Sequence, residues 1–156
     1  MKPRKVESLE QISDFSCGPC AVQSVLRAFG EFRSQEALAE QLGTTEKRGT
    51  PIDEIKRFFW YKGFSTEERA GVGWRELLHL RKQTKNPLLV CWMPTEEPES
   101  HYSLLKEVKK DRVVLTNTYD GSNLEVDRIE WMHRWRDGPD ISKKEQDIHW
   151  VMEVKK

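Results

Sequence analysis

The sequence predicts an α+β domain, with a helical N-terminal half and an antiparallel sheet in the C-terminal half. Up to about residue 86 the apolar residues recur at helical spacing, as in Val22, Val25, Leu26 and Phe29. From Pro87 the texture changes to short extended runs, beginning with Leu88-Leu89-Val90-Cys91-Trp92. Helices first and antiparallel strands afterwards make an α+β domain with two segregated halves. No linker or internal repeat interrupts the chain, so residues 1–156 read as one domain.

Residues 1–16 are polar and irregular, anchored by Val6, Leu9 and Ile12. The first helix covers about Cys17 to Phe29, with Pro19 in a first turn where its missing N–H is harmless, and Gly30 stops it. Ser34 is a good N-cap for a second helix running through Leu38 and Leu42 to Gly43. After a polar loop, Thr50 caps and Pro51 opens a third helix that carries Ile52, Ile55, Phe58 and Phe59 and ends before Gly63. A short helix around Trp74, Leu77, Leu78 and Arg81 follows Gly71-Val72-Gly73. Leu88–Trp92 reads as a central strand, and the loop Pro94–Ser100, with two prolines and three glutamates, must be exposed. Two strands, His101–Val108 and Arg112–Asn117, form a hairpin around Lys109-Lys110-Asp111. Asp120–Asn123 turns the chain into a third run, Leu124–Ile129. Trp131, Met132 and Trp135 suggest a short helix, residues 136–147 are polar, and His149–Val154 is the last strand.

Composition narrows the function classes. Lys plus Arg and Asp plus Glu number 26 each and are interleaved, so there is no electrostatic footprint for nucleic acid. Six Trp and six Phe supply a core despite the 33% of charged residues. No apolar run reaches transmembrane length and no signal segment follows the charged N-terminus. An odd set of three cysteines fits a reducing compartment, so the chain reads as soluble and cytoplasmic.

Chemistry concentrates at Asp14-Phe15-Ser16-Cys17-Gly18-Pro19-Cys20, where an irregular segment becomes helix. Cys17 stands at that helix's N-terminus, where unpaired N–H groups and the macrodipole ease thiolate formation. Three readings compete: a thioredoxin-like dithiol, a lone nucleophile as in papain-like peptidases, or two ordinary thiols. The dithiol reading needs a buried strand before the motif and another after Arg48-Gly49-Thr50-Pro51. The residues before it are polar, and Ile52 onwards is helix-periodic. A zinc site lacks a second ligand pair, and no cofactor is expected.

A cysteine nucleophile needs a base, a group that orients the base, and oxyanion donors. Of the four histidines, His79, His133 and His149 read as packing or surface residues, whereas His101 begins a strand directly after an exposed loop. A hairpin centred on Lys109 pairs position 101 with Asn117, close enough for the amide oxygen to accept from the imidazole.

The joint order of these motifs resembles the bacteriocin-processing cysteine peptidases, papain-like enzymes that remove double-glycine leader peptides and often form the N-terminal domain of peptide-exporting ABC transporters. Gln11 stands six residues before Cys17-Gly18. Leu42-Gly43-Thr44 and Gly49-Thr50 precede the third helix, and Gly63-Phe64 follow it. His101-Tyr102 matches the strand-opening His-Tyr, and Asn117 lies sixteen residues on, where that family has Asp in an Asp-Pro turn. Ser16 stands in place of the acid usual before the nucleophile, and Thr118 in place of the Pro.

The resemblance implies a papain-like fold and a Cys-His-Asn peptidase with a peptide or protein substrate, perhaps cut after small residues such as Gly-Gly. In it Cys17 attacks, His101 carries the proton, Asn117 holds the imidazole, and Gln11 with the Cys17 N–H stabilises the oxyanion. No transporter domain follows, which implies a stand-alone member. The same residues also fit a weak or inactive peptide-binding module, or acyl transfer and deamidation.

Overall fold

The computed structural model describes residues 4–95, 99–136 and 148–156. Helix α1 spans Cys17–Ala28, α2 Gln35–Gln41 and α3 Ile52–Tyr61. Strand β1 (Ser65–Arg69) and helix α4 (Trp74–Gln83) lead into strands β2 (Leu88–Trp92), β3 (His101–Val108), β4 (Arg112–Asn117) and β5 (Ser122–Asp127). Helix α5 (Arg128–Arg134) and strand β6 (Val151–Lys155) complete the described elements. Ser34 caps α2 as its spacing predicts, its Oγ accepting from the Ala37 N–H at 3.1 Å.

The six strands form one sheet in the order β1-β6-β2-β3-β4-β5, and every pairing is antiparallel. Side-chain alternation sends successive strand residues to opposite faces. Leu89, Leu104, Met152 and Val154 join the core under α1, α2 and α3, with Val25, Leu26, Leu38, Ile55 and Phe59. Leu88, Val90, Leu105, Leu115 and Val151 join a second core with Trp74, Leu77 and Leu80 of α4 and Trp131 of α5. The α+β class holds, but helices cover both faces of the sheet.

Two elements differ from the sequence reading. Strand β1, Ser-Thr-Glu-Glu-Arg, has no apolar residue and lies on the sheet edge against β6, so nothing in its composition marks it as a strand. Thr50 does not cap α3; Pro51 is the N-cap and makes no side-chain cap bond, while the Thr50 hydroxyl lies 2.7 Å from that of Thr44. The polar stretch 136–147, apart from Arg136, and residues 96–98 of the exposed loop lie outside the described residues.

Candidate active site

Cys17 is the first residue of α1, so its own N–H and that of Gly18 are among the donors a helix leaves unpaired. Ser16, the N-cap, makes no capping bond, because its hydroxyl exchanges hydrogen bonds with the backbone of Ser13 (2.9 and 3.0 Å). Gly18 is required by packing. A Cβ there would lie 2.5 Å from Thr50 Oγ1, so the Cys-Gly step lets the Gly49-Thr50 loop press against the start of the helix.

The N-terminal arm is bound to this helix through its carbonyls. Cys20 Sγ donates to Leu9 O (3.2 Å) and Ser24 Oγ to Glu7 O (2.9 Å), one helical turn apart. Buried Gln35 accepts from Ile12 N and donates to Glu10 O, fixing the residues on either side of Gln11. The Gln11 N–H donates to Thr118 O at 2.6 Å, and its side-chain amide donates to Ser13 O at 2.7 Å. Ser24 and Gln35 escaped the sequence reading, since nothing in a helix-periodic run shows which polar side chain faces inward to the arm.

His101 opens β3 and pairs with Trp92 of β2. The next residue, Tyr102, donates its hydroxyl to Thr50 O (2.9 Å), joining this strand to the loop against Gly18. Burial pushes the Cys17 thiol up, against the backbone N–H groups of Tyr102, Gly18 and Cys17 itself, which draw it down. The sulfur thus lies against the backbone of the residue beside His101. The helix N-terminus alone would favour the thiolate, but desolvation outweighs it here. Burial also lowers His101 to about 4. At neutral pH in the free protein, both groups are therefore uncharged.

The expected pairing of position 101 with 117 does not form. The β3–β4 register runs from Val108↔Val113 to Leu105↔Leu115, with a bulge between Leu105 and Glu107. Beyond Leu115 the Thr116 hydroxyl, rather than a backbone carbonyl, receives the Leu104 N–H (2.9 Å). Alternation then puts Thr116 and Thr118, both buried, on one face and Asn117 on the other. Asn117 Oδ1 accepts from the Tyr119 N–H (3.1 Å). Thr118 Oγ1 lies 2.7 Å from His101 Nε2, and the Tyr119 ring stacks on the imidazole at 4.4 Å. From sequence Thr118 stands out only as the replacement of a Pro and Tyr119 not at all, because the hairpin turns at Lys110-Asp111 rather than at Lys109 and a bulge without a Gly shifts the register again.

The other three histidines lie elsewhere. His79 and His133 are exposed, and His149 stacks on Trp135 with Nε2 at 2.9 Å from Met132 O. A cleft of about 660 Å³ opens beside Cys17, lined by Thr50, Ile52, Cys91, Tyr102 and Trp150 among others. His101 does not line it, being 4% exposed and covered by Tyr119. Among the described residues there is no group of His, Cys, Asp and Glu able to hold a metal ion, and no helix long and apolar enough to cross a membrane.

Comparison with known proteins gives the family and the fold. The family model of the Peptidase C39 family matches residues 5–138. The peptidase domain of Streptococcus ComA, a bifunctional ABC transporter of a quorum-sensing pathway, superposes with a TM-score of 0.76 at 16% identity, covering 97% of this chain and 98% of that one. A double-glycine motif protease from an AMS/PCAT transporter, solved with its leader peptide, gives 0.73 at 14% identity, covering 99% of this chain and 94% of that one. A Bacillus anthracis protein described as a C39-like peptidase gives 0.70 at 12% identity, with 98% and 96% covered. No curated protein matches the chain.

Proposed function

The chain belongs to the Peptidase C39 family of cysteine peptidases, and from that premise we propose that it hydrolyses a peptide or protein substrate with Cys17 as nucleophile and His101 as base. The observation that carries this reading is the placing of Cys17 at a helix start, its sulfur against the backbone of Tyr102, the residue that follows the buried His101 in β3. With both groups neutral at rest, the thiol proton passes to the imidazole as sulfur attacks the carbonyl carbon. The imidazolium then protonates the leaving amine, and the thioester remains on Cys17. Water, giving its proton to His101, attacks the thioester; the C–S bond breaks, the acid leaves, and the imidazolium returns the proton to the Cys17 sulfur.

The tetrahedral oxyanion would be met by the Cys17 N–H and by the amide of Gln11, which has a second N–H besides the one given to Ser13. Asn117 enters this scheme as the residue that shapes the turn carrying Thr118 and Tyr119, not as the imidazole's partner. Cleavage after small residues such as Gly-Gly is supported by the likeness to the double-glycine motif protease. A cytoplasmic setting is supported by the absence of any disulfide among the three cysteines. Cys20, which donates to Leu9 O and is pushed by burial to about 12, is poorly suited to resolve a mixed disulfide.

Incubation of the protein and its Cys17→Ala variant with a diverse peptide library, read by mass spectrometry, tests the proposal. New termini made by the parent alone support hydrolysis. A one-dalton gain points instead to deamidation, and unchanged but retained peptides to a binding module.

A further inference from the structure

We propose that Thr118 is the positioning residue of His101, and that a directed chain of hydrogen bonds starting at the Ser13 carbonyl fixes the imidazole proton on Nε2, leaving Nδ1 as the base. The inference rests on the peptidase reading for its catalytic meaning, but its geometry is independent of it.

Each link can be polarised from its neighbour. The Ser13 carbonyl can only accept, so the end of the Gln11 side chain 2.7 Å from it is the NH₂. The other end is then the amide oxygen, which also only accepts, and it lies 2.6 Å from Thr118 Oγ1. The single hydroxyl proton of Thr118 is thereby committed to Gln11. What Thr118 offers His101, 2.7 Å away, is a lone pair, and that position requires an N–H on Nε2. A neutral imidazole with its proton on Nε2 has a bare Nδ1, the nitrogen then left for the Cys17 proton.

The surroundings favour a chain of fixed direction. Thr118 is 1% exposed, so water has little access to reverse its hydroxyl. The Gln11 N–H to Thr118 O bond clamps the same two residues through their backbones. Stacking with Tyr119 holds the plane of the ring, while Thr118 holds its edge. A hydroxyl differs from a carboxylate in bringing no charge, so nothing in the chain offsets the burial that keeps the imidazole neutral.

Nitrogen-15 NMR of His101 at pH 7 distinguishes the tautomers directly, and peptide turnover provides the second readout. The parent and Thr118→Ser are expected to show protonated Nε2 and bare Nδ1. Thr118→Val, nearly the same shape without the hydroxyl, should populate both tautomers and lower kcat by roughly ten- to a hundredfold with KM little changed, less than the 10²–10⁴ that losing acid–base catalysis altogether would cost. Gln11→Leu, at a half-buried position, removes the acceptor without touching the ring. It frees the Thr118 hydroxyl to donate to Nε2 and should move the proton to Nδ1, which decides the matter should Thr118→Val fail to fold. Parent-like spectra in a folded Thr118→Val or in Gln11→Leu overturn the proposal. A parent that cleaves nothing but shows the tautomer shifts refutes the peptidase reading and leaves the positioning role standing.

Discussion

Gly18 and Thr50 are in contact so close that a methyl group at position 18 would stand 2.5 Å from the threonine hydroxyl and 2.6 Å from its Cβ. The glycine beside the nucleophile is thus a packing requirement, and its left-handed freedom is not used. An alanine at a helix start would normally gain a few tenths of a kcal/mol from propensity, but overpacking costs about 1–3 kcal/mol and wins. Gly18→Ala should lower the unfolding midpoint and reduce peptide turnover, because any shift of Thr50 also moves the Tyr102 hydroxyl bonded to it. Unchanged thermal unfolding would show that the loop yields freely.

Asn117→Ala gives a second expectation, which separates positions 117 and 118. The carboxamide accepts from the Tyr119 N–H in the turn, so its loss should cost about 1 kcal/mol of stability and leave kcat within a few-fold of the parent. Urea unfolding and steady-state kinetics measure the two effects. A hundredfold loss of kcat at full stability would restore Asn117 to the imidazole.

Much of this site is legible in the sequence, and the limits of that reading are physical. Cys17 at a helix start, Ser34 as a cap and His101 at a strand start follow from local spacing, and local spacing survives folding. The partner of His101 depends on a register over sixteen residues: the hairpin turns at Lys110-Asp111 rather than at Lys109, and continuing the Leu105↔Leu115 register past the bulge sets position 101 opposite 119 instead of 117. Strand β1 is held by its pairing with β6 and by polar contacts such as Lys56–Glu68 and Lys155–Glu67, none of which its composition announces as a strand. Thr50 has the composition of a cap, yet packing against Gly18 and Thr44 claims its side chain.

Acid should destabilise the protein through His101. Burial lowers this imidazole from its ordinary 6.5 to about 4, so the unfolded chain takes up the proton before the folded one does. The stabilising contribution is complete above pH 6.5 and is lost as pH falls from 6.5 toward 4. At about 1.4 kcal/mol per unit it amounts to about 3 kcal/mol. Urea midpoints for the parent and His101→Gln, compared at pH 7.5 and pH 4, should show the parent losing that much more. Equal losses would mean that the folded chain protonates His101 as readily as the unfolded one.

Cys20→Ser should retain peptide turnover, since a hydroxyl can donate to Leu9 O as the thiol does. Neither the parent nor the variant should reduce insulin disulfides. Disulfide reduction by the parent that disappears in Cys20→Ser, without peptide hydrolysis, would return the pair to dithiol chemistry.

The central claim, one nucleophile served by one histidine, is tested most directly by turnover of a cleaved peptide in five single variants. Cys17→Ala and His101→Ala should fall to background, a loss of at least the 10²–10⁴ assigned to acid–base catalysis. His79→Ala, His133→Ala and His149→Ala should keep most of the parental rate, since exposure or the Trp135 stack holds those rings away from the site. Persistent cleavage by Cys17→Ala, or a loss in any other histidine variant equal to that of His101→Ala, would contradict the assignment.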